Sequence, residues 1–313
     1  MTLASLIAVF LQVLFIPMLS PLMVGVIRKL KARLQNREGA SIFQPYFDIA
    51  KLFQKDEVIS ADASWIFRVA PYIVFGVTIL IGVSIPIFSL LTVFVPASDF
   101  LIIAYLFLLS TFFLALAGLD TGSGFGGFGS SREMMVSALA EGGLLFSLLV
   151  PALSAGTTNV TLMVEILQGF SLTDLVPIFI AFVAFFIVLL AENSRFPVDN
   201  PSTHLELTMI HEAMILEYSG KRLALVEWAA MNKLLIFIAL GGSIFFPFGV
   251  SISLGFGAFL TAIVFFALKT GFFVLAVAGI ESTMAKYRIF RVPDLLFTSL
   301  VLGMIALAII LSI

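Results

Sequence analysis

The chain has 313 residues, 61% of them hydrophobic and 12% charged, with a formal net charge of −2 and no cysteine. A soluble domain carries about 25% charged residues, so this composition belongs in a bilayer, and no basic–aromatic pattern marks a nucleic-acid surface. Without cysteine there is no disulfide and no thiolate ligation of an iron–sulfur cluster or structural zinc, so the metals of any redox system in which the chain works belong to its partners.

Eight apolar spans of roughly 20 residues each are predicted, at about 2–24, 67–92, 99–119, 132–153, 173–192, 226–248, 253–279 and 293–312. They make an all-α, polytopic membrane protein of one domain. The first stretch, TLASLIAVFLQVLFIPMLSPLMVGV, has no basic n-region and no small-residue cleavage site, and reads as a retained helix rather than a signal peptide. The connections near 93–98, 154–172 and 249–252 contain no Lys or Arg. Those near 25–66, 120–132, 193–225 and 280–292, with their span edges, hold 15 of the 17 basic residues. The positive-inside rule therefore places the latter four loops in the cytoplasm and both termini outside.

In the first long loop, RKLKARLQNR (28–37) is a basic extension of the first span, suited to anionic headgroups or an acidic partner. Arg28, Lys29, Lys31, Arg33 and Arg37 are its docking candidates. QPYFDIAKLFQK (44–55) places Tyr46, Ile49, Ala50 and Phe53 at helical spacing, with Asp48, Lys51 and Lys55 on other faces, which predicts an amphipathic helix at the interface. LDTGSGFGGFGSSRE (119–133) has five glycines but neither a preceding strand nor the lysine of a phosphate-binding loop, and is read as a close-packed connection between helices.

Ionisable residues at membrane depth are costly and face a partner or water. Glu141 is nine residues past the start of the fourth predicted span, about 13 Å deep at about 1.5 Å per residue. Lys269 is ten residues from the end of the seventh, about 15 Å deep by the same rise, a similar depth that makes an ion pair or a water-linked relay with Glu141 geometrically possible. Lys233 is placed where it could join the relay or snorkel to the interface.

The segment AENSRFPVDNPSTHLELTMIHEAMILEYSG (191–220) gathers Glu192, Asp199, Glu206, Glu212 and Glu217 within 26 positions, together with both histidines, His204 and His211. With Glu281 at the end of the seventh span, they can form a hydrated polar chain in which neighbouring carboxylates raise one another's pKa values. The histidine spacing does not match HExxH and no third strong ligand accompanies it, so no metal site is expected.

These residues resemble the signature of the heel subunit of respiratory complex I (subunit 1/H type). Ala191, Glu192, Arg195, Pro197 and Asp199 match its AExxRxPxD form, and Glu217-Tyr218-Ser219-Gly220 its EYSG. QNREGA and QPYFDIAKLFQKDE look like the family's first cytoplasmic loop, and Glu141 falls where its fourth-span glutamate would. Ser202 and His204 stand where quinone-reducing members have further glutamates, and the glycine-rich loop, Lys233, Lys269 and ESTMAKYR resemble the branch of membrane-bound group 4 nickel–iron hydrogenases and formate hydrogenlyases. That resemblance implies a non-catalytic anchor and coupling subunit in the prokaryotic inner membrane. Its expected partners are hydrogenase large and small subunits, an iron–sulfur subunit and antiporter-like membrane subunits. The nickel–iron centre and iron–sulfur clusters would reside in those partners, and Arg195, Asp48 and Lys51 would join the docking surface. A sulfane sulfur reductase or a quinone-reducing relative would use the same scaffold, and a free-standing ion transporter is the alternative of a different class.

Overall fold

The computed structural model describes residues 3–60, 62–87, 98–169, 175–200, 209–250 and 256–312. Eleven α-helices run through the described residues: α1 (Leu3–Leu34), α2 (Gln44–Gln54), α3 (Trp65–Ser84), α4 (Phe100–Asp120), α5 (Gly124–Ala155), α6 (Val160–Leu167), α7 (Leu175–Glu192), α8 (His211–Ile215), α9 (Gly220–Ile244), α10 (Phe256–Thr283) and α11 (Val292–Ser312). Seven of them are long and apolar enough to cross a membrane, and the apolar helix Val176–Glu192 occupies the remaining predicted span. The chain is a polytopic helical membrane protein.

Two helices differ from expectation in length. α1 has 32 residues, about 48 Å at 1.5 Å per residue, and outruns a hydrocarbon layer of about 30 Å. Its surplus is the basic stretch ending in Lys31 and Arg33, which continues the helix. α5 begins at Gly124, so most of the glycine run read as a connection is helix. Two of the glycines there, Gly126 and Gly129, admit close contact with neighbouring helices. A Cβ on Gly126 would lie 2.2 Å from the Gly118 carbonyl oxygen of α4, and one on Gly129 would lie 2.8 Å from both Ala213 Cβ and the Ile210 carbonyl.

α9 is the most buried span and α11 the least. α9 packs against α1, α2 and α3, while α5 packs against α4, α7, α8 and α11. A polar bridge ties three helices together at membrane depth: Ser20 Oγ donates to Asn232 Oδ1 (2.7 Å), and Asn232 Nδ2 donates to Thr78 Oγ1 (3.1 Å). Such a bridge holds where hydrophobic attraction between helices is absent.

Two helix-interior prolines are compensated by side chains. Pro21 has no N–H for the Pro17 carbonyl four residues back, and the Trp228 indole donates to that oxygen instead (2.8 Å). Pro71 likewise frees the Phe67 carbonyl, which accepts from the Tyr218 hydroxyl (3.0 Å) while the two rings stack with centroids 4.0 Å apart. α2 forms where expected and lies across α1 and α9. Ile49 is buried and Phe53 meets Trp228 edge-on, but Ala50, assigned to that face, is exposed.

Candidate functional site

The signature segments work first as clasps. Val58 N donates to Ser219 Oγ and that hydroxyl donates to Val58 O, each at 2.9 Å, and Arg222 pairs with Glu57. Gly220 has φ +52°, and a Cβ there would lie 2.9 Å from the Asp56 carbonyl oxygen. Only glycine accommodates both conditions without strain. Tyr218, Ser219 and Gly220 thus staple the first long loop to the start of α9, and burial raises the Tyr218 hydroxyl's pKa above its ordinary value.

A second set of contacts ties the segment after α7 to the ends of α1 and α10. Glu281 accepts from Arg195 (3.0 Å) and Lys31 (3.1 Å), with the Lys31 ammonium 4.6 Å from the Phe196 ring centroid. Asp199 pairs with Lys286 at 2.7 Å and accepts from the Ile210 amide at 3.1 Å. Arg195, Asp199 and Glu281 are buried. Arg195 and Lys31, expected on a docking surface, are therefore turned inward onto Glu281.

Glu192 and Lys233 meet at the centre of the site. Glu192 closes α7, and Lys233 reaches it from α9 at 2.7 Å rather than snorkelling away. Ser137 Oγ donates to the other Glu192 oxygen at 3.4 Å, and the ammonium stands 3.5 Å from Thr111 Oγ1 and 6.0 Å from the Phe107 ring centroid. The pair borders a cavity of about 60 Å³ that also takes in Glu133, His211 and the hydroxyls of Thr78, Ser110 and Thr111. A cavity of about this size with these polar groups has room for a few waters.

Glu133 escaped the sequence reading because it stood at the edge of an expected loop. With α5 starting at Gly124, Glu133 is nine residues into the helix, about 13 Å along it. That is the depth expected of Glu141, which lies about 12 Å further along. Glu133 is buried, borders the cavity, and makes no ion pair with a described residue.

A larger cavity of about 240 Å³ adjoins the first, bordered by Arg28, Asp48, Arg195, Asp199, Glu212 and Glu227 among others. Glu227, on α9 at the edge of an expected span, was also missed. Burial, and then the Glu227 and Asp199 carboxylates, raise the Glu212 pKa from 4.5 to about 7. Burial, reinforced by the Lys233 ammonium, lowers the His211 pKa from 6.5 to about 4.

The remaining candidates lie apart. Glu141 is half-buried and Lys269 faces Gly242, with its Cβ 3.5 Å from where a Cβ on that glycine would be. No direct Glu141–Lys269 ion pair forms among the described residues, because α5 packs on α4, α7 and α11 while α10 packs on α1 and α9. Lys269 is also displaced along the bundle, since Gly242 is nine residues beyond Lys233 on α9, about 13 Å. Glu217, Arg33, Arg37 and Lys51 are exposed, Lys29 donates to the Gly39 carbonyl (2.8 Å), and the half-exposed Arg28 and Asp48 stand 3.9 Å apart. His204 and Glu206 lie outside the described residues. Among the described residues no three His, Asp or Glu are grouped to hold a metal, and with no cysteine the donor set fits neither an iron–sulfur cluster nor a nickel–iron centre.

A bundle of apolar helices that buries charge pairs beside small polar cavities is that of a polytopic membrane protein. The chain belongs to the NADH dehydrogenase family, whose model matches residues 6–312. It is 32% identical over 283 residues to formate hydrogenlyase subunit 4 of Escherichia coli (strain K12), covering 90% of this chain and 91% of that one. It is 34% identical over 280 residues to hydrogenase-4 component C of the same organism, covering 88% and 87%. NADH-ubiquinone oxidoreductase chain 1 of Chondrus crispus is 28% identical over 305 residues, covering 89% and 88%. In fold the chain is similar to a chain from the structure of the membrane-bound sulfane sulfur reductase, an archaeal respiratory membrane complex, with TM-score 0.83 at 19% identity over 97% and 98% of the two chains. Its spans and these relatives make it a multi-pass protein of the inner membrane.

Proposed function

We propose that the chain is the membrane anchor and coupling subunit of an energy-converting nickel–iron hydrogenase complex, linking proton reduction in a docked module to translocation of H⁺ or Na⁺. The observation that carries this reading is near full-length relatedness, above 30% identity, to two hydrogenase-complex components. Hydrogenase large and small subunits and an iron–sulfur subunit would hold the metals, and antiporter-like subunits would lie beside the chain in the membrane. The loops bearing Arg28, Lys29, Arg33, Arg37, Asp48, Lys51 and Glu217 would face the cytoplasm and receive the module, with both termini outside.

The Glu192–Lys233 pair, with His211, Glu212, Asp199 and Glu281, is the proposed coupling centre, because it joins buried charge to cavities able to hold water. His204 and Glu206 belong to the same proposed relay. Glu141 is the proposed lateral exit along α5, while Lys269 serves a separate, more distal step.

A tagged chain purified from mild detergent should bring down a complex that evolves hydrogen from reduced viologen. A complex that reduces polysulfide or quinone and evolves no hydrogen would overturn the hydrogenase assignment. Ion flux from the chain reconstituted alone would overturn the anchor role. Glu141→Gln should lower ions moved per hydrogen evolved, and unchanged pumping would remove Glu141 from the route.

A further inference from the structure

The two cavities share a wall. Asn193, Ser194, His211 and Ala230 border both, and His211 is the titratable residue among these four. The larger cavity extends to the half-exposed side chains of Arg28 and Asp48. The smaller lies deeper, against Glu133, Glu192 and Lys233. One further atom in this wall is unexplained. Asn193 Oδ1 is buried without a hydrogen-bond partner among the described residues, although its amide nitrogen donates to the Leu189 carbonyl at 2.8 Å. Leaving a buried acceptor unpaired is costly, and a residue bordering two polar cavities is where a bridging water satisfies it.

We infer that His211, together with a water held by Asn193, is the proton gate between the outer vestibule and the inner chamber, and that Glu133 is the acceptor on the inner side. This inference rests on the coupling function proposed above. Imidazole suits a wall position because it accepts a proton at one ring nitrogen and releases one from the other. In the transfer, an N–H bond forms on the vestibule side and the N–H bond on the chamber side breaks. The released proton passes through chamber water to a Glu133 carboxylate oxygen, and a flip of the imidazole ring restores its first arrangement. No electrons move.

The surroundings keep this step gated. Lys233 and Glu227 approach from α9, Glu133 from α5 and Glu192 from α7. Arg195 and Asp199 flank the wall after α7, and Arg28 and Asp48 border the vestibule from α1 and α2. Lys233 opposes a charged ring and Asp199 favours it, with burial the larger effect. The ring is therefore neutral at rest and passes protons without storing them. A shift of Lys233 away from the ring would ease protonation, so the Glu192–Lys233 pair can set the gate.

The test is ion movement per redox turnover by the whole complex in sealed vesicles. His211→Gln keeps polarity and approximate size but cannot carry a proton, so ions moved per turnover should fall by about a hundredfold or more. Glu133→Gln should reproduce the loss, and Asn193→Ala should show a smaller one. Imidazole added to His211→Ala should restore part of the movement, which a packing role would not allow. Wild-type stoichiometry in His211→Gln overturns the gate, as does absence of imidazole rescue. Should His211 variants fail to assemble, Glu133→Gln decides, and wild-type stoichiometry there overturns the route. A wild-type complex that turns over without moving ions refutes the coupling reading itself, a result distinct from any variant's failure.

Discussion

Removing either member of the Glu192–Lys233 pair should cost more than removing both. The charges are 2.7 Å apart, with side-chain exposures of 7% and 14%, so a lone survivor would be a charge in a low-dielectric interior. Glu192→Gln and Lys233→Met should each cost about 3–5 kcal/mol, the usual penalty for breaking a buried pair. Ser137 can hydrogen-bond the neutral amide introduced by Glu192→Gln, and Thr111 the ammonium that this change leaves behind, which places the cost toward the lower end of that range. The double variant carries neither charge and should lie much closer to wild type, leaving a coupling energy of about 3 kcal/mol. The assay is reversible unfolding in mixed micelles, with all four proteins compared at one pH. Single effects that add to the double effect within about 0.5 kcal/mol would refute the pairing.

Three further outcomes follow from the site. Tyr218→Phe leaves the Phe67 carbonyl, already deprived of its helical donor by Pro71, without a partner, and should cost about 1–3 kcal/mol in the same unfolding measurement; a loss below about 0.5 kcal/mol would contradict that account. Gly220→Ala must hold φ near +52° while its Cβ lies 2.9 Å from a carbonyl, and should loosen the segment 55–60, read as faster proteolysis there. Stability should respond to pH through two neighbours of opposite sign. Glu212, raised from 4.5 to about 7, binds more protons when folded, so its contribution is fully present below pH 4.5 and is lost as pH rises to about 7. His211, lowered from 6.5 to about 4, binds fewer protons when folded, so its contribution is present above pH 6.5 and is lost as pH falls to about 4. Glu212→Gln should therefore leave a protein whose melting temperature rises from pH 4.5 to 6.5, and His211→Gln one whose melting temperature falls over that window. Identical profiles would disprove both assignments.

Much of this protein is determined by its sequence alone. Apolar runs long enough to cross a bilayer define the spans, because a backbone in lipid must satisfy its own hydrogen bonds as helix. Asp48, Lys51 and the apolar Ile49 and Phe53 mark α2 by their period. The AENSRFPVD and EYSG residues locate the polar centre, and Glu192, Asp199, His211 and Glu281 do meet buried partners or border the cavities. The tertiary structure alone decides which charges pair. Depth counted from a span edge depends on where the helix starts; α5 starts at Gly124, and close contact at Gly126 and Gly129 seats its first turns against α4 and α8, bringing Glu133 into the chamber ahead of Glu141. Depth also says nothing of azimuth, so Glu141 and Lys269, matched in level by counting, lie on helices with different neighbours. Lys233 finds Glu192, and Arg195 and Lys31 find Glu281, because packing leaves a buried charge no solvent and selects the counter-charge within reach. That choice is made by the bundle, and linear spacing does not contain it.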